Sequence, residues 1–420
     1  MASGNEDSGA PHIQTKFITK QEKYAVPDAP FSVPITVGHR ELNSLINNLR
    51  SEADESSLEV EFDFLIHGEF LRQSVSEFLS ERGISAETVV DIEYVEKSSP
   101  PEPEDSLMHD DWVSAVQASP SLILSGCYDS TLHLWTTAGE HKLTIPGHTE
   151  PVKDVCWISH ENDLSTFASC SMDQSALLWK YSHAGNSIQC VTVFQGHSKS
   201  VDCVAGQDPG VLLATGSWDS NIHVWNTASV GEESQEQQVK KKRKTIGKAP
   251  VCTPALTLSD HKQGVSSLSW LSPSELASAS WDHTIKIWDV ELGGMKSQLA
   301  GNKAFFSISV SKVHHTLLAA SADHYVKLYD PRSSEGSIVK NMYSSHKGWV
   351  TDVCWSTTRE HEFVSSGQDM MVKHWDARGT KAPLYDLQGH TDKVLCCDWS
   401  SPERIVSGGA DNAVKVFSIH

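Results

Sequence analysis

The chain has 420 residues, with 54 Asp and Glu against 34 Lys and Arg, for a formal net charge of −20. That balance makes general phosphate binding a poor reading, so any RNA contact has to come from a local basic surface, and most of the acidity serves solubility. Nine cysteines show no C-x-x-C pair and no zinc spacing, residues 1–7 hold no apolar signal core, and no run reaches the ~20 residues of a membrane helix, so a soluble intracellular protein with reduced cysteines is expected.

Residues 1–12 are expected to be a disordered N-terminus, and 13–97 a small domain. Strand signals at 13–19 and 31–35 precede a helix with Leu42, Leu45, Ile46 and Leu49 at i, i+3, i+4, i+7 spacing. A strand at 62–66, a short helix at 74–82 stopped by Gly83, and a strand at 89–95 complete an order that fits an α+β, ubiquitin-like (β-grasp) domain. Residues 1–100 carry 18 acidic against 8 basic side chains, a net of −10 and half of the total charge. Residues 98–103, Ser-Ser-Pro-Pro-Glu-Pro, break regular structure and read as a semi-rigid linker.

From 104 to 420 the chain repeats. An Asp is followed six residues later by an aromatic at Asp129/Trp135, Asp173/Trp179, Asp219/Trp225, Asp282/Trp288, Asp323/Tyr329, Asp369/Trp375 and Asp411/Phe417. Successive Asp residues lie 44, 46, 63, 41, 46 and 42 apart, the period of a four-stranded propeller blade with one lengthened interval. Short runs of alternating apolar and polar residues, separated by turn residues, make the units antiparallel strands. The repeats closely resemble the WD-repeat family, which implies a mainly β, seven-bladed propeller. Strand 104–108 is then expected to complete the last blade, whose own strands end near the C-terminus and would otherwise leave a bare edge.

The resemblance implies a structural role for the recurring polar residues. His109, His148, His197, His261, His346 and His390 enter the blades, and Ser125, Ser169, Thr215, Ser278, Ser365 and Ser407 stand four residues before the Asp. Chained as carboxylate, imidazole, hydroxyl and indole N–H, these groups satisfy one another inside a blade. A lone Ser-His-Asp set is the signature of nucleophilic catalysis, but a set that recurs in blade after blade is a fold-stabilising network. Blade five has Gly301-Asn302, Ala319 and Tyr329, and blade seven ends in Phe417, so both are expected to rest more on apolar packing.

The N-terminal unit resembles the Notchless-like domain that precedes propellers in ribosome-assembly factors, through residues 62–72 and the Gly83-Ile84-Ser85-Ala86-Glu87 segment. With residues 91–94 and His109-Asp110-Asp111-Trp112-Val113 at the junction, the chain resembles the WD repeat-containing protein twelve family, the PeBoW subunits. The resemblance implies non-enzymatic work in pre-rRNA processing and maturation of the large (60S) ribosomal subunit, in the nucleolus and nucleoplasm, without cofactor or intrinsic metal. Its propeller would dock on the Block-of-proliferation protein, alongside Pescadillo, and its N-terminal domain would engage the Midasin ATPase for release from pre-60S particles. Glu87 matches the family's acidic residue that completes a Mg²⁺ site held by Midasin, where an incoming carboxylate replaces a water. Glu69 and Glu81 are nearby, weaker candidates; by sequence alone an exposed loop Glu, Glu87 included, reads as a solvated surface charge, and it is the resemblance that favours the ligand role for Glu87.

The long interval, residues 229–250, holds an acidic run and then Lys240-Lys241-Lys242-Arg243-Lys244. Its composition builds no core, so a disordered surface loop is expected, serving as nuclear import signal, RNA contact or plain solvated loop. Import is preferred because the rest of the chain lacks other basic runs. The rival from another class is a substrate receptor of a cullin-type ubiquitin ligase, on the strength of Trp375-Asp376-Ala377-Arg378 and Tyr329-Asp330-Pro331-Arg332. An enzyme has no support, since there is no phosphate loop, no metal triad and no unique nucleophile.

Overall fold

Alternating burial along His12–Ile18 (β1) turns Ile13, Thr15 and Phe17 inward and leaves Gln14 and Ile18 outside. The computed structural model describes residues 11–419 apart from 54–57, 86–88, 161–162, 208–209, 228–248 and 333–338. It falls into two compact units, Met1–Ser99 and Pro100–His420. In the first, Pro30–Pro34 (β2), Phe62–Ile66 (β3), Glu69–Phe70 (β4) and Val90–Glu96 (β5) join β1 in the order β2-β1-β5-β3-β4. β1 and β5 run parallel and the other pairs antiparallel.

Helix α1, His39–Ala53, buries Leu42 and Ile46 fully, with Leu45 packed partly behind them, as the i, i+3, i+4 spacing requires. Phe62 meets Tyr94 edge-on at 5.4 Å, and the Tyr94 hydroxyl donates to the Tyr24 carbonyl at 2.7 Å. Tyr24 belongs to a short 3₁₀ turn, Glu22–Tyr24, which, like β4, has no clear signal in the sequence. Helix α2, Val75–Arg82, starts with a Ser74/Glu77 capping box and stops at Gly83, whose φ of 63° is the left-handed region.

The second unit begins with Glu102–Met108 (β6) and builds seven sheets, each of four strands except the second, which has five. The first strands of these sheets are Val113–Ala118, Val152–His160, Val201–Gly206, Val265–Trp270, Phe305–Val310, Val350–Trp355 and Val394–Asp398. Each lies beside the first strand of the next sheet, and the seventh lies beside the first. The core sits between sheets: Leu124 and Leu134 of the first pack with Val152, Phe167 and Trp179 of the second. β6 pairs with Ala413–Ser418, Met108 opposite Ala413 and Glu102 opposite Ser418. It starts two residues earlier than the strand read from sequence; Pro103, which has no N–H to give, sits opposite Phe417 where the register shifts.

The long interval ends in structure. Val251–Cys252 pairs parallel with the outer strand of the second sheet, and Val193 N–H donates to the Pro250 carbonyl at 2.9 Å. Residues 249–250, expected to belong to the disordered insert, are therefore part of an ordered edge. The basic run 240–244 lies outside the described residues.

Candidate functional site

In the second sheet His148 Nδ1 lies 2.9 Å from Asp173, its Nε2 lies 2.8 Å from Ser169 Oγ, and Trp179 Nε1 donates to that oxygen at 2.9 Å. The same chain recurs as His197, Asp219, Thr215 and Trp225, as His261, Asp282, Ser278 and Trp288, and as His346, Asp369, Ser365 and Trp375. In the seventh sheet His390 bonds Asp411 at 3.0 Å and Ser407 at 2.9 Å, and Phe417 ends the chain without a donor. Burial raises the Asp173 and Asp369 carboxyls, but the imidazole and neighbouring N–H groups outweigh it and hold both down to about 2. In the second, third, fourth and sixth sheets each hydroxyl is enclosed and already bonded to both imidazole and indole.

Two further sheets depart from this pattern. In the first, His109 Nε2 bonds Ser125 at 2.8 Å and Trp135 donates to Ser125 at 3.3 Å, but His109 Nδ1 turns to the Leu107 carbonyl at 3.2 Å. Asp129 instead accepts from the Thr131 N–H and hydroxyl, so the expected His109–Asp129 bond is absent. Burial, with His133 alongside, holds His109 down to about 4. In the fifth sheet, expected to rest more on apolar packing, the usual chain is missing and buried Lys327 reaches Asp323 at 2.6 Å and Ser321 at 3.3 Å, an ion pair where the other sheets use imidazole.

Sheets are also sewn to one another by side chains of the first strands. Asp154 accepts from Val204 N–H at 2.9 Å, Asp352 from Cys397 N–H at 2.8 Å, and Asp398 from Ala118 N–H at 2.8 Å, each reaching the next sheet. Desolvation pushes Asp154 up to about 7 and Asp352 up to about 6. A folded pKa above the unfolded ~3.8 means that the folded state holds more protons between about pH 4 and 7, so stability from this group falls as pH rises through that window. The melting temperature of the wild type relative to Asp154→Asn is therefore expected to fall between pH 5 and 8. A pH-independent difference in thermal scans would show that Asp154 is already ionised at pH 5.

One end of the ring collects aromatic side chains. In every sheet a backbone hydrogen bond ties the turn after the second strand to the loop entering the first, as in Tyr128 N–H to Trp112 O at 2.9 Å and Trp218 N–H to Ser200 O at 3.0 Å. Both loops therefore lie at the same end of each sheet. Trp112, Trp218 and Trp349 are 38, 39 and 46% exposed there. Ring centroids run from Trp218 to Trp281 (5.4 Å), Phe306 (5.2 Å) and Trp349 (5.6 Å), a continuous arc over four sheets. Exposed aromatics in such a group are the residues that anchor protein interfaces. The sequence carries a signal for this face: the residue just before the repeated Asp is Tyr128, Met172, Trp218 and Trp281 in four successive repeats.

In the first unit Glu87 lies outside the described residues. The segment leading to it is anchored, since Ile84 packs against the core and its N–H donates to the Leu79 carbonyl at 3.0 Å. Glu69 is ion-paired with Arg82, which weakens its claim as a ligand for a partner's metal; Glu81 borders a shallow surface depression with Gln73, Ser76, Glu77 and Ser80. In both WD-x-Arg boxes the guanidinium is engaged locally, Arg378 by Asp376 at 2.7 Å and Arg332 by Asp330 at 3.1 Å.

Known families match this layout. The NLE (NUC135) domain matches residues 13–79, and the WD domain, G-beta repeat, matches 102–136, 139–180, 188–226, 252–289, 337–376 and 381–418. The stretch between 290 and 336, outside those matches, holds the first three strands of the fifth sheet, where Lys327 replaces the imidazole chain. The class is thus a WD-repeat protein with an N-terminal NLE domain. The chain is 48% identical to a ribosome biogenesis protein WDR12 homolog of Aedes aegypti over 96% of its length and 95% of the relative's. It is 49% identical to that of Ixodes scapularis over 96% and 98%, and 48% identical to that of Drosophila erecta over 98% and 96%. The chain belongs to this WDR12 family.

Proposed function

We propose that this chain is a non-enzymatic assembly factor for the large (60S) ribosomal subunit, acting in the nucleolus and nucleoplasm within a PeBoW complex. The observation that carries the reading is 48% identity, over nearly the whole chain, to a protein named for ribosome biogenesis. The cycle of seven sheets closed by β6 supports a seven-bladed propeller, and the β2-β1-β5-β3-β4 sheet with its parallel central pair supports a ubiquitin-like domain. In this reading the Trp-lined face docks the Block-of-proliferation protein beside Pescadillo, Glu87 supplies a carboxylate to Mg²⁺ held by Midasin, and Lys240 to Lys244 direct import. The ligase-receptor alternative loses its specific motive, because both guanidinium groups are engaged within the chain, Arg378 by Asp376 and Arg332 by Asp330 and the His314 carbonyl.

Affinity purification of the tagged full chain from cells tests the reading. The expected companions are large-subunit precursors and the two PeBoW partners; recovery of a cullin adaptor in their place would overturn it. Glu87→Ala is expected to leave the complex intact but stalled on pre-60S particles, and binding of the full chain to Midasin's adhesion domain should be lost with that variant or with chelator. Equal binding by wild type and Glu87→Ala would show the ligand misassigned.

A further inference from the structure

Two loops from neighbouring sheets bring together side chains that are far apart in sequence. Residues 311–316 join the first two strands of the fifth sheet, and residues 356–361 join those of the sixth. The imidazoles of His314 and His361 stack with centroids 4.9 Å apart and planes 14° from parallel. Ligand atoms of His314, Glu360 and His361 all lie within 4.8 Å of one another. His314 Nε2 is buried with no hydrogen-bond partner among the described residues, a condition that costs free energy unless a further group meets it.

Both loops are held in place. Ser311 N–H donates to the Thr316 carbonyl at 2.9 Å, His314 N–H to Ser311 Oγ at 3.1 Å, and the Arg332 guanidinium to the His314 carbonyl at 3.0 Å. Across the gap, Arg359 N–H donates to Ser356 Oγ at 3.1 Å and Ala377 N–H to the His361 carbonyl at 2.7 Å. Ligands on preset backbone lose little freedom when an ion arrives.

We propose that His314, Glu360 and His361 form a divalent-metal site of the zinc type that ties the fifth sheet to the sixth. Two imidazoles and one carboxylate are a three-ligand set that Zn²⁺ takes at about 2.0–2.2 Å, with water in the fourth position. Tetrahedral angles at such bonds put ligand atoms about 3.3–3.5 Å apart, which side-chain rotation reaches, most easily for the exposed Glu360. Calcium and magnesium want oxygen donors, so they fit this set poorly. The position has a physical use. The ion would cross-link the loops that join the first two strands of the fifth and sixth sheets.

The test is titration of the purified, metal-stripped full chain with ZnCl₂ against a chromogenic chelator, with thermal melting alongside. One bound equivalent is expected, with a melting temperature that climbs with zinc concentration, and Co²⁺ should give the visible absorption of a four-coordinate centre. Glu360→Gln, at an exposed position, should weaken binding by roughly tenfold or more, since even loss of an outer-shell partner costs that much. His361→Ala should remove the site. Unchanged stoichiometric binding in both variants would assign the metal elsewhere and overturn the proposal, as would no binding by the wild type at about 100 μM zinc, where linkage would make even weak occupancy visible in the melt.

Discussion

Lys327→Ala is expected to destabilise the WD-repeat unit by about 3–5 kcal/mol, because it leaves a carboxylate enclosed without its cation. The Lys327 side chain is 9% exposed and that of Asp323 17%, with Nζ and Oδ2 2.6 Å apart. Burial raises the Asp323 carboxyl, but the Lys327 ammonium and the Tyr325 N–H, at 3.0 Å, outweigh it and lower its pKa. Removing the ammonium removes the largest of those opposing effects. The double variant Lys327→Met/Asp323→Asn should recover much of the loss, since replacing both members of a buried pair costs far less than breaking it. Urea unfolding followed by tryptophan fluorescence measures both. A loss below about 1 kcal/mol for Lys327→Ala would mean that the pair is solvated like an exposed surface pair.

Lys327 also marks where reading from sequence ran out. The Asp/aromatic period fixes strand boundaries and sheet order, because each repeat buries the same faces and closes the same hydrogen bonds. The imidazole chains of the second, third, fourth and sixth sheets were legible because Ser or Thr, Asp and Trp recur at fixed offsets with a His on the entering loop, a set to which the WD-repeat resemblance gives a structural role. Where one type is missing, the replacement comes from outside the motif. Asn302 and Ala319 showed that the fifth sheet could not build the chain, but Lys327 is one of several strand lysines, and Lys286 turns instead to Asp260 on the entering loop and Lys373 to Asp386 on the neighbouring strand. His109 is a similar case: its residue type fits, yet its Nδ1 finds a backbone carbonyl nearer than Asp129. The stitches made by Asp154, Asp352 and Asp398 were hidden because they join residues 50, 45 and 280 positions apart, and no local spacing records such a contact.

Replacing Glu102–Met108 by a Gly-Ser linker of equal length in the full chain should abolish cooperative melting of the WD-repeat unit and drive the protein to aggregate. β6 is the fourth strand of the seventh sheet, and without it the Ala413–Ser418 strand presents a row of unpaired backbone groups. Leu107, 3% exposed, packs with Val414, Val416 and Trp135, so its loss alone forfeits about 1.5–3 kcal/mol of apolar burial. The Arg404–Glu104 ion pair at 3.1 Å and the Lys415–Ser106 bond at 2.9 Å go with it, though these exposed contacts contribute little. The greater effect is on closure. β6 comes from the N-terminal side of the unit and the strand it covers from the C-terminal side, so this pairing adds a backbone ladder to a junction otherwise held by packing of the first strands and by the Asp398–Ala118 bond. Leu107→Asp separates packing from closure: it keeps the backbone ladder and should lower the melting temperature without aggregation. Size-exclusion chromatography and thermal scans of the three proteins decide the matter, and a linker variant that stays monomeric with an unchanged melt would show that the ring holds without its clasp.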